Sequence, residues 1–207
     1  MSFLIQAGLR VVGLPSLGPP RAGDDGVPAS LQRRALRGDV LFHGSGRDDL
    51  DMLEPIRRSR DATEFGNQQA VYATSDPIWA MYFALLQRGR PFGTRNGSIG
   101  IAGAELYPRW YFFSLRGGYD GEPFANGWVY VLRREGFTPE PPLVGNIDTA
   151  QWVSLSAARS IERVAVQPSD FPFRDLVVRH REREPMLVTW LRAGIRARLS
   201  RWSRRDG

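Results

Sequence analysis

The sequence of 207 residues contains no cysteine and no lysine, and it has only two histidines. Without cysteine, disulfides, thiolate metal sites and cysteine nucleophiles are excluded. Without lysine, Schiff-base chemistry and the lysine of a P-loop are excluded as well. His43 and His180 lie far apart in the sequence, and a metal site with so few nitrogen ligands needs several carboxylates to complete it. We therefore predict no metal.

Long apolar runs are also missing, so no transmembrane segment is predicted. The first fifteen residues have an apolar character, but no basic region precedes them and no small-residue cleavage site follows. A secretory signal is not indicated. The expected location is the cytoplasm.

The charge of the chain is unevenly distributed. All 28 basic residues are arginines against 22 acidic residues, and the six arginines between Arg192 and Arg205 account for the whole net charge of +6. In the same segment Leu187, Leu191, Ile195, Leu199 and Trp202 recur at helical spacing, which predicts a basic amphipathic helix over 185–207. We expect its apolar stripe to dock on its own domain. Nucleic acid, an acidic partner or an anionic membrane surface are the alternative contacts.

Composition also predicts the domain boundaries. Residues 15–28 collect proline, glycine and aspartate without an apolar period, so 1–37 is predicted as a flexible N-terminal arm and 38–184 as the folded domain. Within that domain the glycine-rich segment 90–107 is predicted as a long loop.

Short apolar runs bounded by glycine, proline or polar residues predict strands at residues 40–43, 70–73, 110–115, 128–132, 151–155 and 163–166. A helix is predicted after Ser75 or Asp76, which can cap it, with Pro77 in its first turn. Because the strands outnumber the helices and do not alternate with them, the fold class is predicted to be α+β.

Two of these strands end in residues that could bind a ligand or take part in catalysis. The first ends in Phe42-His43-Gly44-Ser45, and about thirty residues later a second ends in Val71-Tyr72-Ala73-Thr74, directly before the predicted helix. This pairing resembles the ADP-ribosyltransferase superfamily of the histidine-tyrosine type, which includes diphtheria-like toxins and poly(ADP-ribose) polymerases. The likeness is strong over residues 38–87 and weak afterwards, as in a divergent member. It implies split antiparallel sheets with few helices, and NAD as co-substrate.

The resemblance also implies roles for individual residues. His43 would hydrogen-bond a ribose hydroxyl of NAD, the backbone of Gly44 would pair with the nicotinamide carboxamide, and Ser45 occupies a position where many members have serine. Tyr72 would stack on nicotinamide. A second aromatic side chain from the following helix would close the sandwich, a role open to Tyr82 or Phe83.

The third functional residue of the family is normally a glutamate that begins a later strand before an aromatic residue. The match here is Gln151, followed by Trp152. Glutamine accepts a hydrogen bond but carries no charge, whereas cleavage of NAD develops positive charge on the ribose. Asp148 ranks second as a source of that charge. In the loop between the two motif strands, Arg57 and its neighbours Arg58 and Arg60 suit the NAD pyrophosphate.

The leading functional hypothesis is a mono-ADP-ribosyltransferase that moves ADP-ribose from NAD to an unidentified acceptor, with His43, Tyr72 and Gln151 as the catalytic residues. Three alternatives stay open: a catalytically silent module that binds NAD or ADP-ribose, an NAD glycohydrolase, and an RNA 2′-phosphotransferase-like enzyme. His180, flanked by arginines and a glutamate, is predicted to be a solvated side chain.

Overall fold

The computed structural model describes residues 14–56, 64–87, 93–103, 106–117 and 121–203. In this part of the chain the fold is α+β, as predicted, with three α-helices and two largely antiparallel sheets. The helices are α1 (Val27–Ala35), α2 (Pro77–Leu85) and α3 (Met186–Ser203). None of the helices among the described residues is long and apolar enough to cross a membrane.

The strands, in chain order, are β1 (Ser16–Leu17), β2 (Val40–Ser45), β3 (Met52–Leu53), β4 (Val71–Thr74), β5 (Thr94–Ile101), β6 (Arg109–Arg116), β7 (Gly127–Arg133), β8 (Thr138–Pro139), β9 (Ile147–Asp148), β10 (Gln151–Ser154), β11 (Ala158–Val166) and β12 (Val178–His180). Six of them, β2, β4, β6, β7, β10 and β11, confirm the six strands that the sequence predicts.

The larger sheet has the strand order β3-β11-β7-β2-β4-β10-β8. Its centre is β2, which pairs with β7 along its whole length. The smaller sheet has the order β1-β6-β5-β9, and β12 adds to β6 as a parallel neighbour. β4 leads through α2 into β5, which is one of several places where the chain passes from one sheet to the other.

Helix α2 lies in the main core, between the two sheets. Eight of its nine residues are buried, as expected for a helix that is apolar on all sides. It packs on β2 and β7, and its cluster includes Tyr111, Phe113 and Leu115 from β6. Asp76 caps it by accepting a hydrogen bond from the Ile78 N–H at 3.0 Å, which confirms the predicted start.

The predicted arm over 1–37 is wrong for residues 14–37; residues 1–13 lie outside the described part. Leu14 is buried, β1 pairs with β6, and α1 places Leu31 and Ala35 in the main core. The error has a local cause, since the helix opens with Gly26 and Pro28 and carries one large apolar side chain in its middle. The composition of this segment, taken alone, is therefore that of a linker.

The predicted loop over 90–107 is also corrected, because residues 94–101 form strand β5. Its sequence, TRNGSIGI, has few of the side chains that favour strands. Gly100 shows why: a Cβ atom at that position would lie 2.8 Å from the Nη1 atom of Arg109. The small residue makes room for a buried guanidinium, so tertiary packing outweighs the weak local pattern.

Helix α3 begins at Met186, close to the predicted start, but it docks through a different face. Its buried side chains are those of Thr189, Ala193 and Ala197, at four-residue spacing, and Gly194 beside them is buried as well. The predicted stripe of Leu187, Leu191, Ile195 and Leu199 is exposed to solvent instead. Small side chains let the helix approach β6 closely, so they form the contact that the larger residues were expected to make.

Candidate functional site

His43 and Tyr72 lie on neighbouring central strands and are joined by a hydrogen bond. The Nδ1 atom of His43 is 2.7 Å from the backbone oxygen of Tyr72. Since a carbonyl oxygen only accepts, Nδ1 carries the proton, and in the neutral ring Nε2 becomes the acceptor. The contact therefore fixes both the orientation of the imidazole and its tautomer.

The two strands separate at this point. Among the described residues, β2 and β4 pair at one position, Phe42 with Thr74, although a continued ladder would also match His43 with Ala73 and Gly44 with Tyr72. The ring of His43 occupies the edge where the ladder stops. We call the group of His43, Gly44, Tyr72 and Gln151 the strand-separation site.

Side-chain alternation decides where a ligand would have to lie. Phe42 packs with α2, whereas Leu41 belongs to the cluster on the opposite face of the sheet, so His43 is on that opposite face. Tyr72 lies between two residues of the Leu41 cluster and therefore points the other way. A ligand that touches both side chains has to enter between β2 and β4.

The hydroxyl of Tyr72 is hydrogen-bonded to the segment that precedes β4. Its hydroxyl lies 2.6 Å from the backbone oxygen of Gln68 and 2.8 Å from that of Gly66, and it donates its proton toward them. Gly66 belongs to a short 3-10 helix, Phe65–Asn67, directly before β4. These contacts fix the hydroxyl and, with it, the direction of the long axis of the ring, which suits a stacking surface.

Packing explains why position 44 is a glycine, without any contact to a ligand. A Cβ atom on Gly44 would lie 1.9 Å from the backbone oxygen of Ala80 and 2.6 Å from the nitrogen of Ala84, both in α2. Gly127 on β7 makes the same close approach to Ala84. The two glycines let α2 press on the sheet. Ser45 is buried and accepts a hydrogen bond from the Arg47 N–H at 3.2 Å.

Gln151 begins β10, on the other side of β4 from His43, and is paired with Thr74. The alternation of β10 places its side chain on the same face as Tyr72. Its backbone oxygen accepts a hydrogen bond from the Glu140 N–H at 2.8 Å. Its side-chain Nε2 atom is buried and finds no hydrogen-bond partner among the described residues. An unpaired buried donor costs free energy, and a ligand acceptor at this position would recover it.

The ligand contacts predicted for Tyr82 and Arg57 have different outcomes. The ring of Tyr82 has no exposed surface and packs against Phe113, Phe124 and Phe171, so it cannot stack on a ligand in this structure. Phe83, the other aromatic considered, is half-buried and contacts the Tyr82 ring edge-on. Arg57, with Arg58 and Arg60, lies outside the described residues.

A second polar cluster lies where the two sheets meet, and most of it was not predicted from the sequence. We call it the sheet-junction cluster; its members are Asp76, Ser98, Arg109, Tyr111 and Asp148. Arg109 is 1 % exposed, and it donates to the Ser98 hydroxyl at 2.6 Å and to the Asp148 carboxylate at 2.6 Å. A buried arginine next to strand residues is hard to distinguish from a solvated one in sequence.

Asp76 is the buried acid of the sheet-junction cluster. It accepts hydrogen bonds from the hydroxyls of Ser98 and Tyr111, and its carboxylate lies 3.5 Å from the Nε atom of Arg109. Burial raises the pKa of Asp76, while Arg109 and these hydrogen bonds act in the opposite direction. Asp148, the second candidate for the catalytic charge, is bound to Arg109 and to the Ala150 N–H. Its charge is already paired.

The prediction of a solvated His180 is wrong. His180 is 5 % exposed at the end of β12, and its Nδ1 atom is 2.6 Å from the hydroxyl of Ser114, which is fully buried. Burial lowers the pKa of His180, as do the nearby charges of Arg95, Arg116 and Arg192, while Glu184 acts against them. The flanking charges made the segment look exposed, but strand pairing with β6 turns the ring inward.

A surface cavity of about 490 Å³ is lined by Asp48, Asp49, Asp51, Glu162 and Arg163, so its acidic side chains outnumber its one basic side chain, which does not favour a pyrophosphate. No group of three or more histidine, aspartate or glutamate side chains among the described residues could hold a metal ion. Comparisons with protein-family models, curated proteins and solved structures found no match to the chain.

Proposed function

We propose that the protein binds NAD between β2 and β4 and transfers its ADP-ribose to an acceptor, as a mono-ADP-ribosyltransferase. The observation that supports this most directly is the hydrogen bond from the His43 ring to the Tyr72 carbonyl, at the point where the two central strands separate. Gln151 lies on the next strand, so the three residues suggested by the family resemblance occupy three adjacent strands of one sheet.

His43 fits the role of orienting the ribose. With Nδ1 donating to the Tyr72 carbonyl, Nε2 is an acceptor, and a ribose hydroxyl is the donor that would match it. Protonation of Nε2 would remove that acceptor. The proposed contact therefore requires the neutral ring.

Tyr72 and Gln151 fit the two ends of the reacting bond. In the transfer, the bond between the ribose anomeric carbon and the nicotinamide nitrogen breaks, nicotinamide leaves with the electron pair, and the acceptor bonds the carbon as it loses a proton. The fixed Tyr72 ring would hold the leaving nicotinamide flat. The unpaired amide of Gln151 would hydrogen-bond the ribose nearby.

A silent binding module is the second candidate, and one observation favours it. The third position is neutral, and the nearest predicted alternative, Asp148, is paired with the guanidinium of Arg109. Without a free carboxylate, stabilisation of the positive ribose is weakened by about 3 kcal/mol. NAD would then bind between β2 and β4 and leave unchanged.

Calorimetric titration of the full chain with NAD, with nicotinamide release followed in the same sample, tests both candidates. Release supports transfer or hydrolysis, and the ADP-ribose product distinguishes them: it is attached to an acceptor in the first case and free in the second. Binding without release supports the silent module. An absence of NAD binding by the folded protein would refute both.

Substitutions locate the site in the same assay. His43→Ala and Tyr72→Leu are each expected to weaken NAD binding about tenfold or more, because a hydrogen bond or a stacking surface is lost. Tyr72→Phe keeps the ring, so binding should persist although the bonds to Gly66 and Gln68 disappear. The matched control is His180→Gln, which changes the other histidine and should bind NAD as the unmodified protein does.

A further inference from the structure

The outer face of α3 is a surface that the proposed function does not use. Leu187, Leu191, Ile195 and Leu199 are between 49 % and 64 % exposed. At 1.5 Å per residue, the twelve steps from Leu187 to Leu199 form a stripe about 18 Å long. Val188 lies within the same stripe in angle around the helix and is also exposed. A continuous apolar stripe of this size on a surface helix indicates a contact.

The helix cannot turn this stripe inward, because its opposite face is fixed. Thr189 is fully buried; it accepts a hydrogen bond from Arg95 at 2.9 Å and donates to Glu184 at 2.8 Å. Ala193 packs with residues of β6 and β12, and Trp190 lies edge-on to the ring of Phe112. Leu191 is two residues, or about 200° around the helix, from Thr189.

The charge around the stripe selects among possible occupants. From Pro185 to Arg205 the chain has six arginines and no acidic residue. Arg192 and Arg196 donate to backbone oxygens of Arg179 and Asp175, and Arg192 also forms an ion pair with Glu184, so both guanidinium groups lie along one border of the stripe and turn toward the domain. Arg198 is exposed and lies between Leu187 and Leu191 in angle around the helix. The occupant should thus be apolar in its interior and negatively charged at its surface.

We propose that this face of α3 binds an anionic lipid surface, with the stripe inserted at the boundary between headgroups and acyl chains. Arginines beside an aliphatic stripe are the pattern of interfacial helices, in which guanidinium groups contact lipid phosphates. A second copy of the chain fits less well, since two such faces would bring arginines against arginines. Nucleic acid would satisfy the arginines but leave the aliphatic side chains uncovered.

Co-sedimentation of the full-length protein with vesicles tests the proposal. Vesicles of equal parts phosphatidylglycerol and phosphatidylcholine should bind the protein, and pure phosphatidylcholine should bind it at least tenfold more weakly. Leu191→Gln combined with Ile195→Gln should weaken binding to the anionic vesicles by a further factor of ten or more. The matched control is Leu155→Gln combined with Ile161→Gln, which alters two exposed aliphatic residues outside α3 and should bind normally.

All four substituted side chains are solvent-exposed, so each variant should keep the fold. Circular dichroism and a thermal melt of each variant check this. Four results would overturn the proposal. The first is no binding to anionic vesicles, and the second is binding that the Leu191 and Ile195 changes leave intact. The third is a dimer, seen by sedimentation velocity, that the same changes dissociate. The fourth is tighter binding to an oligonucleotide than to the vesicles.

Discussion

The strand-separation site and the sheet-junction cluster are both partly buried polar groups beside Thr74, yet they differ in how completely their atoms are paired. In the sheet-junction cluster the guanidinium of Arg109 meets two carboxylates, a hydroxyl and two backbone oxygens. In the strand-separation site the amide nitrogen of Gln151 has no partner among the described residues. A cluster whose polar atoms are all hydrogen-bonded stabilises a fold. A buried donor without a partner destabilises it, and a ligand that accepts its hydrogen bond removes that penalty.

Removal of the central charge should show that the sheet-junction cluster stabilises the fold. Arg109→Met leaves the buried Asp76 without its cation, so the free energy of unfolding should fall by about 3–5 kcal/mol. Chemical denaturation measures it. Arg34→Met is the matched control: it removes a partly exposed ion pair with Glu162, and the expected loss is below about 1 kcal/mol. Equal losses in the two variants would contradict the assignment.

A charge placed in the strand-separation site should change chemistry more than stability. Gln151→Glu restores the carboxylate that the family resemblance implies, and nicotinamide release should rise about a hundredfold if the register is right. Gln151→Met keeps the length without amide or charge and should release nicotinamide no faster than the unmodified protein. If the Glu variant binds NAD but gains no rate, the third position has to be sought elsewhere, with Asp148 next.

Gly44 tests whether a residue suggested by the family resemblance serves the ligand or the fold. Gly44→Ala places a methyl group within 1.9 Å of the Ala80 oxygen, so the free energy of unfolding should fall by about 1–3 kcal/mol. Gly97→Ala is the matched strand control, because no atom lies within 4 Å of its added Cβ; its effect should stay below about 1 kcal/mol. A stable Gly44→Ala protein that fails to bind NAD would assign the glycine to the ligand.

The six predicted strands and the capped helix α2 were accessible from sequence because each depends on local pattern. Val40–Ser45 alternates between two cores, and Asp76 followed by Pro77 is a cap and first turn whatever packs around them. Strand β5 and helix α1 were missed because their apolar content is low. Their positions depend on Arg109 and on the main core, which are distant in sequence.

The candidate site was predictable in part for the same reason. His43, Tyr72 and Gln151 each sit at an identifiable position of a strong strand, and the sheet order makes those strands neighbours. The burial of Tyr82 and His180 was not predictable, because it is set by Phe171 and by the pairing of β12 with β6. The docking face of α3 was misjudged because larger apolar side chains were expected inside, whereas the close contact requires alanines.

The smallest predicted effect is a dependence of stability on pH that comes from His180. The ring of His180 is buried, and its pKa is lowered from 6.5 in the folded protein. The unfolded chain therefore binds a proton first as the pH falls. The contribution of the neutral ring to stability should be complete above about pH 6.5 and should be lost progressively below it, by at most about 1.4 kcal/mol per pH unit.

Urea unfolding between pH 7.5 and 5 measures this dependence, and His180→Gln isolates it, because glutamine can still bond Ser114 but does not titrate in that range. Carboxylates that titrate near pH 5 act in both proteins and cancel in the difference. The unmodified protein should lose more stability than the variant as the pH falls. If the two curves run parallel, the ring of His180 accepts its proton without cost, and the neighbouring arginines do not face it as closely as the structure shows.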